Sequence, residues 1–581
     1  MMKSFQEIKK NLKSDFSGKT PLKLGILGDS ATQFYVQALR GLGFDYDFDF
    51  RIFEADFNQI DRQVYDLQSE FYAFDPDIVI LFHSTHKLLG KYNKLTAEQQ
   101  SGLCEQRMQE VRQLTDMISS NLKAKIIYLN YPEIDDAVYG SFANKMESSF
   151  LFQLRKLNYE LMSFAAASTN FFICDVASVQ NLIGKRTLFQ PAIYVNTEFV
   201  FSLDAIPMVA QRTVDIIAAA YGRFKKCVIV DLDNTLWGGV IGDDGIEKIQ
   251  LGSLGIGKAF TEFQYWLKKL KNRGIILAVC SKNEENVAKE PFEKHPDMVL
   301  RLEDIAVFTA NWENKADNIR TIQSVLNIGF DSMVFLDDNP FERNMVRDNI
   351  PGICVPELPE DPTEYLEYLY SLNLFETISF SSEDKERTNQ YRVESQRLTF
   401  HRQCTDEADF LSGLEMVSQV EGFNKFNTPR VAQLSQRSNQ FNLRTVRYTE
   451  ADIEQLALAD DYATFAFTLE DRFGEHGLIC VVVLRKADPG VLFVENWFMS
   501  CRVLKRGMED FVLNTLVEYA KATDGITTLR SEYIPTPKNG IVKDHYAGLG
   551  FTPTAEDQGR ISYELDVTSY QTHPCFIKAK Q

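Results

Sequence analysis

Short apolar runs, each stopping on polar residues, alternate with amphipathic helical stretches from residue 22 to residue 336, and no other feature limits the fold so strongly. The runs 22–27, 78–82 and 126–129 end in Gly28-Asp29-Ser30, His83 and Asn130. Between them lies a stretch such as 98–123, apolar at Leu103, Met108, Val111, Leu114 and Ile118, a helical spacing. The pattern repeats with strands over 227–230, 275–279 and 333–336 and a helix over 258–273. Strands alternating with helices predict parallel sheets with helical crossovers. A proline-rich acidic stretch, 351–362, reads as an exit from the second unit, and a charged helix is expected over 382–399. Consecutive strands at 462–469, 477–484 and 491–497, a helix over 508–523 and an ending at 545–551 predict an α+β domain. At 581 residues the chain is long enough for several domains, each with its own core.

Charge and cysteine usage narrow the function. The 62 basic and 81 acidic residues leave a formal charge of −19. A dedicated nucleic-acid or anionic-membrane binder needs a basic surface, so neither is expected. The nine cysteines form no CxxC pair, which argues against a zinc site or disulfide framework and for a reducing compartment. The charged N-terminus lacks an apolar signal core, and no apolar run approaches the ~20 residues of a membrane span. A cytoplasmic location is expected.

The strongest chemistry lies in the middle. Asp231-Leu-Asp233-Asn-Thr235 directly follows a buried strand. Two carboxylates on a tight loop repel unless a cation sits between them, and one of them can then serve as a nucleophile while the other handles protons. Strand 275–279 ends in Cys280-Ser281-Lys282-Asn283, a hydroxyl and backbone N–H groups suited to a phosphoryl oxygen. Trp312-Glu-Asn-Lys315 supplies a cation. Strand 333–336 ends in Asp337-Asp338-Asn339-Pro340, a second carboxylate pair suited to Mg²⁺. In a parallel sheet these clusters converge at the carboxyl edge.

These four motifs resemble those of the haloacid dehalogenase (HAD) superfamily of phosphohydrolases and phosphotransferases. DLDNTLWGGVIGDDG, CSKN, ANWENK and FLDDNPFER look more narrowly like its FkbH-like subfamily, IIIC. The resemblance implies Asp231 as the nucleophile, Asp233 as general acid/base with its carbonyl on the metal, and Ser281 and Lys315 on the phosphoryl oxygens. Asp337 and Asp338 would complete the Mg²⁺ site, with Thr235, Lys282, Asn283 and Asn339 in the substrate pocket. Cys280, beside Ser281, is a candidate acyl acceptor, against the alternative of a buried strand residue. The resemblance further implies removal of the phosphoryl group of an acyl phosphate such as 1,3-bisphosphoglycerate through an aspartyl-phosphate. The glyceryl or related acyl unit would pass to a carrier-protein thiol.

Residues 491–551 resemble the acyl-CoA-binding half of the Gcn5-related N-acetyltransferase (GNAT) fold. The loop Arg502-Val-Leu-Lys505-Arg506-Gly507 would cradle the pyrophosphate of CoA or of an acyl carrier's arm, and Tyr546 is the candidate acid for a departing thiolate. A lysine stands at 505, where that fold's loop has glycine. Glu475 and His476 read as the solvated tip of a hairpin. Gly28-Asp29-Ser30 resembles the first block of the SGNH hydrolases, but Asp175-Val-Ala-Ser178 has no histidine where the partner is expected, which implies a degenerate scaffold.

The expected architecture is α/β: an SGNH-like, flavodoxin-like domain (1–215), a HAD-like Rossmannoid domain (220–375), a helical linker (376–400) and an α+β GNAT-like domain (401–581). Two other activities remain open: a phosphatase on a sugar or other small metabolite phosphate, and a CoA-dependent N-acyltransferase acting on an amino-sugar.

Overall fold

The computed structural model describes residues 3–380 and 406–580, together with the backbone but not the side chain of Arg502. The helix expected over 382–399 lies outside the described residues. The chain is an α/β protein that divides into two compact units. The first runs to Ala219 and includes Ser371–Ile378; the second comprises Ala220–Tyr370 and the chain from Ser379.

Five parallel strands form the sheet of the first unit: β1 (Thr20–Gly28), β2 (Phe48–Glu54), β3 (Ile78–Phe82), β4 (Lys125–Leu129) and β5 (Phe171–Cys174). Their order is β2-β1-β3-β4-β5. β3 is buried along its whole length, as a central parallel strand covered on both faces must be. The helix Leu103–Asn121 buries Leu103, Met108, Val111, Leu114 and Ile118, the residues its spacing selects.

The second unit holds two sheets. The first contains β6 (Cys227–Val230), β7 (Ile276–Ser281), β8 (Val307–Ala310) and β9 (Met333–Leu336), all parallel, in the order β8-β7-β6-β9. Helices Gly255–Asn272, Lys315–Leu326 and Pro340–Asn349 connect or follow these strands. Every connection runs from a strand's C-terminal end, so the loops after β6, β7, β8 and β9 share one edge.

The second sheet is mostly antiparallel. It contains β10 (Val417–Ser418), β11 (Val420–Glu421), β12 (Tyr462–Asp471), β13 (Gly474–Asp488), β14 (Val491–Met499), β15 (Thr528–Tyr533), β16 (Thr552–Asp557), β17 (Arg560–Asp566) and β18 (Lys578–Ala579). The order is β16-β17-β15-β14-β13-β12-β10-β18, with β11 on β12. Helix Met508–Ala522 packs Phe511, Leu513, Leu516 and Val517 onto the core of this sheet. β14 and β15 run parallel and pair only over Val491–Phe493 and Thr528–Arg530 before diverging.

That divergence would expose unpaired strand edges inside the sheet. The chain fills the gap with its own residues 441–446. Leu443 N–H donates to Trp497 O (3.1 Å) and Met499 N–H to Phe441 O (3.0 Å) on the β14 side. Ile534 N–H donates to Leu443 O (2.9 Å) beyond β15, and Asn539 Nδ2 to Asn442 O (3.0 Å). Arg444 ties the two strands together through Glu495 Oε1 (2.7 Å) and Glu532 Oε2 (3.0 Å).

Candidate active site

Asp231 is the first residue past β6, and its N–H donates to Leu336 O of β9 (2.9 Å). The loop then turns tightly: Leu236 N–H donates to Leu232 O (2.7 Å), and Asn234 takes the left-handed conformation at φ 54°. Asparagine tolerates that conformation because its short amide bonds locally, here accepting from Gly239 N–H at 2.9 Å. The turn buries Trp237 completely.

Asp233 is clamped rather than mobile. Its Oδ1 accepts from Trp237 Nε1 and Ile241 N–H (both 3.0 Å), and its Oδ2 accepts from Asn283 Nδ2 (2.8 Å). The same amide reaches Ser281 Oγ at 3.2 Å, so Asn283 links the carboxylate to the hydroxyl that ends β7. Ser281 is buried, and among the described residues its hydroxyl only accepts, from Asn283. Lys282 pairs with the buried Glu342 (2.6 Å).

Oxygens of Asp231, Asp337 and Asp338 lie within 4.8 Å of one another. Buried between two of them is Lys315, whose Nζ is 3.0 Å from Asp231 Oδ1 and 2.5 Å from Asp337 Oδ2. Thr235 Oγ1 accepts from Asp338 N–H (3.0 Å), and Asn339 N–H donates to Asp337 Oδ1 (2.9 Å). Asn339 also caps the helix Pro340–Asn349. Burial pushes the Asp337 carboxyl up to about 7, and the Asp231 charge adds to that despite Lys315. Asp338 is raised by the same two causes in the same order. For Lys315 burial opposes the charge, but the two carboxylates outweigh it and hold its pKa high.

This group fits a divalent cation with oxygen ligands. It carries three carboxylates against one ammonium, a donor set of hard oxygens with an excess of negative charge. The Asp233 side chain stands outside the group, engaged with its three donors, which leaves its backbone carbonyl as the donor it could offer.

Two residues that sequence reasoning missed hold the site together. Arg343 Nη1 donates to the carbonyls of Asp337 (2.8 Å) and Asp338 (2.7 Å), fixing the loop that presents both carboxylates. Glu342 anchors Lys282. Both sit in the first turn of the helix after β9, where an otherwise apolar turn carrying two buried charges was the available signal.

Cys280 requires a correction. It is fully buried in the core with Cys227, Ile229 and Ile276, and its Sγ lies 3.8 Å from Lys315 O. Alternation along β7 sends Ser281 to the site and Cys280 under the sheet, where burial pushes the thiol up. Burial of Cys280 favours the alternative of a strand residue in the core. We expect Cys280→Ala to keep phosphate release within about twofold of wild type while losing about 1 kcal/mol of stability, read by denaturant titration.

The GNAT-like loop also departs from expectation. Arg506 is buried, with Nη1 3.3 Å from His476 Nε2 and 3.6 Å from Asp471 Oδ2, so its guanidinium is turned inward rather than toward a pyrophosphate. His476 is itself buried and bonded to Asp471 (2.9 Å), not a solvated hairpin tip. Tyr546 is a core residue ringed by Trp497, Phe551 and Tyr563, and burial pushes its phenol up, away from proton donation to a thiolate. Lys505 adopts φ 62°, the conformation that a glycine would take freely, and Gly507 at φ 75° opens the helix Met508–Ala522. The Arg502 side chain lies outside the described residues.

In the first unit, Ser30 Oγ donates to Asp29 Oδ1 (2.9 Å) and lies 3.0 Å from Ser84 Oγ. His83 bonds to Tyr128 (3.1 Å). No histidine is bonded to Ser30 among the described residues.

Residues 23–218 match the model of the FkbH N-terminal domain. The N-terminal part of the protein BF1531 from Bacteroides fragilis, containing a phosphatase domain and complexed with Mg, is 58% identical to this chain. The match covers 65% of this chain and 100% of that one, with a TM-score of 0.63. This chain belongs to the same family. The GNAT domain of S. lividans PAT (17% identity, TM-score 0.21, 25% of this chain and 89% of that one) is also similar. So is the Campylobacter jejuni N-acetyltransferase PseH in complex with acetyl coenzyme A (18%, 0.16, 20% and 74%). No curated protein matches. Among the described residues, no helix is long and apolar enough to cross a membrane.

Proposed function

We propose that the chain is a Mg²⁺-dependent HAD-type phosphatase whose nucleophile is Asp231 and whose general acid/base is Asp233. The observation that carries this reading is the three-carboxylate group of Asp231, Asp337 and Asp338 with Lys315 buried against it. Asp231, Asp337, Asp338 and the Asp233 carbonyl would hold Mg²⁺, which would supply positive charge to the transferring phosphoryl group. The chain's own residues do the rest. Lys315 and Ser281 hold phosphoryl oxygens, and an Asp231 oxygen forms the new bond to phosphorus as the ester oxygen leaves. Asp233, steadied by Trp237 and Asn283, gives that oxygen a proton and later takes one from the water that cleaves the aspartyl-phosphate. Thr235, Lys282, Asn283 and Asn339 shape the pocket. We assign these roles to the domain 220–375, with 1–215 as a scaffold lacking a serine nucleophile, 376–400 as linker and 401–581 as a GNAT-like domain.

The substrate we propose is a small phosphorylated acyl phosphate such as 1,3-bisphosphoglycerate, with a carrier-protein thiol as acceptor. Atom balance divides the work. If Asp231 took the acyl phosphate's phosphoryl group, the acyl unit would leave as an unreactive carboxylate. Instead the carrier thiolate attacks the acyl carbon and the acyl C–O bond breaks, releasing phosphate. Asp231 then removes the remaining phosphate ester. With 1,3-bisphosphoglycerate generated in situ and a phosphopantetheinylated carrier, wild type should release two phosphates per glyceryl thioester and Asp231→Asn one. Phosphate release without thioester would leave the plain metabolite phosphatase.

An N-acyltransferase using free acyl-CoA loses support from residues 441–446, which occupy the gap between β14 and β15 where an extended ligand arm would pair with open strand edges. We expect acetyl-CoA to give no calorimetric binding signal and no change in melting temperature.

A further inference from the structure

A cavity of 270 Å³ opens in the second unit at the end of the β6–β9 sheet opposite Asp231. Lys226 stands immediately before β6 and Asp231 immediately after it, so the two lie about 16 Å apart along the strand. The cavity is therefore separate from the phosphatase centre. Its other wall is the chain entering the filled gap, residues 438–441, together with Met499, Ser500 and Cys501 at the end of β14.

Basic side chains stand in the lining. Among the described residues it carries Lys226, Arg430, Arg437, Lys538 and Asp331, in a chain whose formal charge is −19. Enclosed cationic walls raise the local concentration of anions. Lys538 and Asp331 pair with each other. Lys226 is placed differently: its Nζ donates to Arg437 O (2.8 Å), its one hydrogen bond among the described residues. An ammonium has three N–H donors, so two remain for a guest. Burial pulls this amine down to about 8, with Cys501 and Asp331 partly restoring it. Ile276, Phe441 and Met499 give the cavity an apolar side, and the half-buried Cys501 brings a thiol to the wall.

We propose that this cavity is a second ligand site that takes a small organic anion through a carboxylate or phosphate group, with Lys226 as the principal contact and the Cys501 thiol beside it. The apolar wall would receive the carbon skeleton and the ammonium the anionic oxygens.

Alkylation of Cys501 in the full-length protein tests this, read by peptide mass spectrometry with iodoacetate and its neutral counterpart iodoacetamide. The proposal expects the iodoacetate-to-iodoacetamide rate ratio at Cys501 to exceed that of glutathione by about tenfold. Lys226→Met should return the ratio to the glutathione value while leaving phosphate release unchanged. Inorganic phosphate or acetate should slow both reagents on wild type, and the stronger protector identifies the preferred group. Protection on wild type decides the matter if Lys226→Met does not fold. A ratio equal to glutathione's without protection, or a Cys501 that reacts with neither reagent, would overturn the proposal. None of these readouts depends on Asp231.

Discussion

Asp231→Asn should reduce hydrolysis of the phosphate ester by at least about 10³-fold while leaving the fold intact. The amide keeps the shape of the side chain, and the backbone bond from residue 231 to Leu336 O does not involve it. What is lost is the anionic oxygen that attacks phosphorus, together with one of three carboxylates facing the cation. Steady-state phosphate assays and circular dichroism on the same sample separate the two effects. An Asp231→Asn protein that turns over at the wild-type rate would remove the nucleophile from the account.

Lys315→Met should be costly in two ways. The ammonium lies buried between Asp231 and Asp337, and breaking a buried ion pair by removing one partner costs about 3–5 kcal/mol. Loss of a donor to the phosphoryl oxygens should lower turnover by about 10²–10³-fold. Mg²⁺ should restore much of the stability, because a cation among the carboxylates replaces the missing charge. The pH dependence has a defined sign. Metal-free, Asp337 keeps a proton up to about 7, whereas an unfolded aspartate releases its proton near 3.9. The folded state therefore binds more protons across that interval, and metal-free stability falls as pH rises from about 4 to about 7. Removing Lys315 should steepen that fall, and saturating Mg²⁺ should flatten it. Thermal melts at several pH values with and without Mg²⁺ read both effects. A variant as stable as wild type without metal would show that the ammonium does not compensate the carboxylates.

The parallel sheets were legible in the sequence because each strand is a short buried run ending on polar residues, and those endings are where the site forms. Asp231, Ser281, Lys315 and Asp337 needed only local patterns and the rule that parallel strands share a carboxyl edge. What was hidden depends on contacts between distant segments. The orientation of Cys280 follows from which face of β7 is core. Arg343 reaches back to two carbonyls, and Trp237 turns its indole onto Asp233. Residues 441–446 carry no strand alternation of their own, yet they bond to residues some 50 to 90 positions later, and no local signal announces that closure. Arg506 looked like a phosphate contact because basic residues beside glycine suit anions; its pairing with Asp471 and His476 is visible only in three dimensions.

The central claim is that phosphoryl transfer passes through Asp231. Rapid-quench peptide mass spectrometry of the full-length enzyme, mixed with Mg²⁺, a phosphopantetheinylated carrier and 1,3-bisphosphoglycerate generated in situ, tests it most directly. The account predicts a transient phosphoryl increment on the peptide that contains Asp231, absent in Asp231→Asn and long-lived when Asp233 is replaced by Asn. Rapid release of both phosphates with no increment on that peptide, or an increment on any other residue, would contradict it.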